Sequence, residues 1–407
     1  MKKTCFLFGT GVERAYGISG GSDFAINVLG IKNKVMNEAI KEFYNDVISK
    51  SDNKEWYTTC ENRTLKKKEL LEAALRKKIL DEILADSHIN NASEIQNKKI
   101  YEDKVEERLK ELIKDNEKDD EINEEQLAVI ENYTSYMGII DSKFHTIIYP
   151  KALGPQNFWK VISCYTRAYL LIVTQMIPKF INKQLTKEDY LYILKNPKHI
   201  HTEILEFCKI KKDEDEKLKE DAKVSEELKK QRRYYSILAN HQEKDIKIIT
   251  SNYTPLCEEL AGVSKENIAY VHGKIGWFES PYEMKVYDIF EEKLPNELYF
   301  PYIFIQSGIK PIVEERQINE FAKMLKFLQE SDRLIIVGFN LNTDDNHING
   351  IIRSYLNSKE VIYLDYDDTG SKERICYRLR LKDSTNLKYI KIYQDNAVLI
   401  FEELLNQ

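Results

Sequence analysis

Two short apolar runs, far apart in the chain, stop at glycine or small polar residues. Cys5-Phe-Leu-Phe-Gly-Thr-Gly11 lies near the start, and Ile246-Lys-Ile-Ile-Thr-Ser-Asn252 lies beyond the middle. A third, Tyr270-Val-His-Gly273, follows closely. Each reads as a buried strand that delivers glycine or polar side chains to its carboxyl end, the edge at which open α/β sheets bind nucleotides. Further strand-like runs follow: Tyr299 to Gln306, Leu334 to Val337, Val361 to Leu364 and Tyr389 to Tyr393. Helical spans such as Ile318 to Glu330 and Asp345 to Asn357 separate several of them, and that alternation predicts parallel strands with crossover helices. The sheet is therefore expected to be split in sequence, with its first strand at the amino terminus and the others returning from about residue 245.

Between these parts the texture changes. From about Asn33 to Asn240 the chain is rich in Lys, Glu, Leu and Ile at helical spacing and poor in glycine, so an inserted α-helical domain is expected over 33–244. Two stretches, Asn97 to Glu125 and Lys211 to Arg233, are heavily charged; the first, with Leu109, Leu112 and Ile113 on one side, suits an exposed or partner-facing helix, and a solvated helix face is the preferred reading. The segment Phe158 to Thr174 is apolar nearly all round and reads as interior helix.

The 407 residues suffice for two compact units, 1–32 with 245–407, and 33–244. Lys and Arg total 61 against 67 Asp and Glu, a net charge of -6, which gives no global electrostatic reason to bind nucleic acid directly. Six scattered cysteines form no C-x-x-C pair, so neither a zinc ribbon nor a secreted disulfide framework is expected. With no signal peptide and no run of about 18 apolar residues, the expectation is a cytoplasmic protein without membrane attachment. His199 and His201, two apart without nearby cysteines, are not assigned to a metal, and no metal is expected.

The turn Gly9-Thr10-Gly11 has the character of a pyrophosphate-binding turn, in which backbone approaches the ligand and the amides of the next helix favour its charge. Leu334-Ile-Ile-Val-Gly-Phe-Asn340 and Val361-Ile-Tyr-Leu-Asp365 form a compact βαβ unit. It carries Gly338 and Asn340 at the end of one strand and the acid Asp365, placed for ribose hydroxyls, at the end of the next. Asp344 and Asp345 read equally well as caps of the helix between them.

The order G-x-G, Gly17-Ile18, Thr250-Ser251-Asn252, His272-Gly273 and a late G-x-N-L resembles that of the sirtuin superfamily over roughly the first 30 residues and 245–370. Where sirtuins carry G-A-G-x-S, this chain has Glu13 in place of the serine, and Asp23-Phe24 arrives late. No cysteine lies between Cys257 and Cys376, so the four-cysteine zinc ribbon of the protein-deacylating members is missing. The segment Ile305 to Pro311 lacks the glutamate of their peptide-binding strand. The trimmed core, Asn252-Tyr253 and Leu341-Asn-Thr-Asp344-Asp345-Asn-His347-Ile348 look like the bacterial antiphage sirtuin-like NADases.

That resemblance implies a Rossmann-like sirtuin core and NAD+ as substrate, hydrolysed to nicotinamide and ADP-ribose. Asn252 would orient ribose hydroxyls or water, having both a donor and an acceptor, and His272 would act as base. Gly9, Thr10, Gly11, Asp23, Ser251, Gly338, Asn340 and Asp365 would hold the dinucleotide. It also implies an NAD-depleting defence effector, a homo-oligomer, whose separate partner is a HerA-type ATPase or, as the alternative, a short Argonaute. The competing expectations are a non-catalytic NAD+ or ADP-ribose sensor and a scaffold subunit.

Overall fold

The computed structural model describes residues 2–19, 33–52, 155–220, 231–241 and 245–407, the last without 284, 295, 304–313, 343–344, 367–369, 383–384 and 394. At 155–161 and 218–220 only the backbone is described. Asp23, Asp344, the stretch 97–125 and the segment 305–311 therefore lie outside the described residues. Residues 1–54 and 162–407 gather into one compact unit and 55–161 into a second; the first carries the sheet.

Strand β1 (Thr4–Phe8) is buried at every position, and β2 (Ile246–Thr250) at all but Lys247. Such runs suit a strand covered on both faces, because nearly every residue is kept from water. With β3 (Ile268–Tyr270), β7 (Arg333–Val337), β8 (Glu360–Asp365) and β9 (Leu387–Lys391) they make a six-stranded sheet in the order β3-β2-β1-β7-β8-β9. Every pairing is parallel, with Phe6 opposite both Ile248 and Ile335. The architecture is therefore α/β and Rossmann-like, completed across a gap in sequence of more than two hundred residues.

Among the described residues of 33–244 every regular element is helical: α1 (Lys34–Lys50), α2 (Pro155–Met176), α3 (Lys187–Lys195), α4 (Pro197–Glu220) and α5 (Tyr234–Ala239), with short 3-10 turns. In the carboxyl part follow α6 (Leu256–Leu260), α7 (Glu315–Glu330), α8 (Asn346–Tyr355), α9 (Lys372–Arg378) and α10 (Ala397–Asn406). Helix α7 buries Phe321, Met324, Phe327 and Leu328, and α8 buries Ile348, Ile352 and Tyr355, the spacing of one helix face. These side chains share a core with Cys5, Leu7, Ile249, Leu334 and Ile336 on one side of the sheet. On the other side Phe6 and Phe8 pack against Phe401 of α10, and Phe8 against Tyr235 of α5.

One strand departs from the sequence reading. The run expected over 299–306 forms β6 (Phe300–Ile303), which pairs antiparallel with β4 (Gly273–Ser280), itself paired with β5 (Lys285–Asp288), in a separate three-stranded sheet. No described helix is long and apolar enough to cross a membrane. The five described cysteines are buried and free.

Candidate active site

The sheet grows from β1 in two directions, through β2 to β3 and through β7 to β9, so the chain reverses between β1 and β7. Loops that leave neighbouring strands toward opposite faces open a crevice there, the usual ligand position in open α/β sheets. In this chain the two loops are locked backbone to backbone. Gly9 N donates to Val337 O at 3.0 Å and Gly11 N to Gly338 O at 3.1 Å. A Cβ on Gly9 would stand 2.4 Å from Gly338 O, one on Gly11 2.8 Å from Gly338 Cα, and Gly338 has φ +66°. The glycines thus serve the contact of the two loops. The helix expected after them is a seven-residue 3-10 turn, Thr10–Tyr16, and its Gly11 and Val12 amides bond to Gly338 O and Gly9 O. Of those two amides, one is taken by the loop after β7 and the other within the turn itself.

On the β7–β8 flank of this junction lies an open cleft of about 210 Å³, walled by Thr10, Gly11, Gly338, Asn340 and Asp365 together with Arg14, Arg232, Tyr234 and Tyr366. Five of the residues named from the sequence thus share one cavity. Asp365 is 6% exposed and accepts a 2.9 Å hydrogen bond from the Tyr389 hydroxyl. The Arg232 guanidinium lies 3.9 Å over the Tyr366 ring, and Arg378 holds Asn340 through both its backbone and side-chain oxygens. Two cations, one buried acid and an aromatic face suit a ligand with phosphate at one end and a ring with hydroxyls at the other.

Asn252, Ser251 and His272 belong to the other flank, beyond β2 and β3. Ser251 N and Oγ both donate to Phe8 O, at 3.0 and 3.3 Å, which fastens this loop to the β1 turn. Asn252 is 1% exposed; its Nδ2 donates to Gly9 O and to the Tyr235 hydroxyl, each at 3.2 Å, and its buried Oδ1 has no hydrogen-bond partner among the described residues. It caps nothing: the cap position of α6 is Pro255. An acceptor left unpaired in the interior costs about 1–3 kcal/mol, so its retention is a sign of a ligand group that pairs with it.

His272 is 5% exposed, and its Nε2 lies 3.3 Å from Asp345 Oδ1. Asp345 stands at the N-cap of α8 yet makes no capping bond; its carboxylate faces the imidazole instead. The His347 ring lies 5.5 Å from that of His272, and donor atoms of His272, Asp345 and His347 all fall within 4.8 Å of one another. A carboxylate against an imidazole fixes the ring's tautomer and stabilises its protonated form, which equips it as a base. Three such donors also make a candidate cation site with open positions. His199 and His201 do not belong to it: His199 pairs with Glu203 at 3.1 Å, and His201 lies against the Phe290 ring.

Asp345, His347, Glu13 and Tyr235 are not among the residues that the sequence assigns to the site. Glu13 is 2% exposed, accepting from Thr254 Oγ1 at 2.7 Å and from the Tyr235 hydroxyl at 3.2 Å. Burial pushes its carboxyl up to about 7, opposed by the hydrogen bonds from Thr254 and Tyr235. Its departure from the serine of the sirtuin pattern is the one sequence signal that points to it. The fold and site define an α/β protein with a switch-point cleft. No family model and no curated protein matches the chain.

Proposed function

We propose that this chain is a sirtuin-like NAD+ glycohydrolase that releases nicotinamide and ADP-ribose. One observation carries the reading: a buried amide with an unpaired oxygen, Asn252, and a carboxylate-faced imidazole, His272, stand on one flank of a junction whose other flank is a cleft with cations and Asp365. In this reading the adenosine half lies over β7 and β8 against Asp365 and Asn340. The nicotinamide ribose reaches across the Gly9–Gly338 contact, where Asn252 Oδ1 accepts from a ribose hydroxyl or the attacking water. Cleavage builds oxocarbenium character at the anomeric carbon, and His272, held by Asp345, takes the proton from the water as it adds.

Uncontrolled NAD+ loss would kill the cell that makes such an enzyme. The proposed setting is therefore an antiphage effector in a homo-oligomer, held inactive until a separate partner acts through the inserted helices of 33–244. The resemblance favours a HerA-type ATPase as that partner over a short Argonaute. The test is nicotinamide release by the purified chain and by Asn252→Ala and His272→Ala, with and without the product of the neighbouring gene. Release by the wild type alone among the three supports the reading; equal release by all three, or none under any condition, sinks it in favour of a sensor or scaffold.

A second reading has its own observation, the three donors of His272, Asp345 and His347 within 4.8 Å. There the flank is a divalent metal centre and the chain a metal-dependent hydrolase of a nucleotide.

A further inference from the structure

Resting on the cleavage reading, we infer that Glu13 is a positioning residue for Asn252, acting through the Tyr235 hydroxyl to hold the amide oxygen toward the substrate. The hydrogen-bond directions follow from what each group can give. The Asn252 amide nitrogen only donates, so at 3.2 Å the Tyr235 oxygen must accept from it. Tyr235 has one proton, and that proton goes to Glu13 Oε1 at 3.2 Å. Thr254 donates to the same oxygen at 2.7 Å, so Glu13 serves both hydroxyls as an acceptor.

Gly9 O completes the lock, because a carbonyl cannot donate: turning the amide over would set Asn252 Oδ1 against it. The amide thus has one allowed orientation, with nitrogen inward and oxygen available.

Tyr235 is itself clamped. Its ring stacks on Tyr16 at 5.6 Å and meets Phe8 edge-on at 5.5 Å. Its helix α5 is tied to α4 by the buried Asp215, which takes hydrogen bonds from Arg233 and Ser236. The strut therefore runs from helices of the sequence insertion, through Tyr235, to the amide. The other ionisable groups that sense Glu13 are Cys208 of α4, Cys257 of α6 and Tyr270 of β3, none of them a cation.

The experiment is steady-state NAD+ cleavage by the wild type, Glu13→Gln, Tyr235→Phe and the double variant, with folding checked by circular dichroism. Glutamine keeps the shape but offers the two hydroxyls a neutral amide oxygen in place of the carboxylate, a weaker acceptor, and phenylalanine removes the strut. Each single variant should lose roughly tenfold in kcat with KM held, and the double variant should lose no more than either, because both cut one chain of bonds. Wild-type kcat in either single variant, or losses that multiply in the double, would overturn the inference. A KM effect without a kcat effect overturns it too. An active wild type with unaffected variants removes this inference alone; a wild type inactive both with and without the product of the neighbouring gene removes the cleavage reading and this inference with it.

Discussion

Over β7 and β8 the carboxyl edge of the sheet is open and charged, with Arg14, Arg232 and Asp365 around a cleft. Over β2 and β3 it is closed, and Asn252 and His272 are 1% and 5% exposed. Both flanks start from the same Gly9–Gly338 junction, yet one offers contact area and the other offers few, tightly oriented polar groups. The contrast suits a dinucleotide whose larger part is bound by surface and whose reacting bond is kept from bulk water. Binding and reaction should therefore respond to different substitutions.

The largest effect is expected from the closed flank. His272→Ala should lower kcat for nicotinamide release by about 10²–10⁴ with KM little changed, the range for loss of a positioned base. Asp345→Asn should do the same more mildly, since it orients the base without contacting the substrate. Next comes the open flank, where Asp365→Ala should raise KM roughly tenfold and leave kcat nearly intact, as loss of a hydrogen bond shared by ground and transition states does. If the two patterns exchange, the division between the flanks is wrong.

Smaller effects should come from two buried acids, one beside the closed flank and one remote from it. Burial raises Glu13 to about 7, and burial together with repulsion from Glu314 raises Glu279, in the small antiparallel sheet, to about 8. A carboxyl whose folded-state pKa is raised binds its proton more tightly folded than unfolded. Its stabilising contribution is complete below about 4.5 and is lost as pH rises through the folded value. Urea unfolding should therefore show stability falling between pH 5 and 8, by about 1–3 kcal/mol for each acid. Glu279→Gln should lessen the fall across the whole range and remove what is left of it above about pH 7 without touching NAD+ turnover, whereas Glu13→Gln should lessen it only below about pH 7 and slow turnover as well. A Glu279 variant that slows turnover would mean that the small sheet and the closed flank act as one.

The open flank is the more legible one in sequence. A run ending in Gly338 and Asn340, a helix, and a run ending in Asp365 announce themselves by local pattern, and those three residues share the cleft with Thr10 and Gly11 of the first turn. What the pattern omits is pairing: nothing local says that β1 lies between β2 and β7, or that Phe300–Ile303 leaves the parallel sheet for β4. Strand β4 shows no clean alternation, being buried at every position but Lys274 and broken by Gly276 at φ +102°, and β5 is only four residues long, so neither carries a periodic signal. The closed flank depends on contacts across long stretches of chain. Glu13 shows in the sequence only as a departure from the sirtuin serine until Tyr235 meets it, and Asp345 reads as a helix cap until His272 arrives from β3.

Chelation should have the smallest effect of all, and it decides how the closed flank is read. Ligands on a tetrahedral zinc ion at about 2.0–2.1 Å stand roughly 3.4 Å apart. The three donors spread to 4.8 Å, while the His272–Asp345 pair alone, at 3.3 Å, is at contact distance. The imidazole is thus already engaged as one half of a dyad, and a metal would require the set to contract around it. Dialysis against EDTA should leave both turnover and thermal midpoint where they were, and elemental analysis should find far less than one zinc per chain. His347→Ala tests the same point from the protein's side. A ring that packs beside His272 and Phe321 without holding a metal can be lost with a minor change in kcat, whereas loss of a ligand would abolish activity together with metal content. Stoichiometric metal, removed by either treatment along with turnover, would turn His272 from base into ligand and make the buried flank a metal centre.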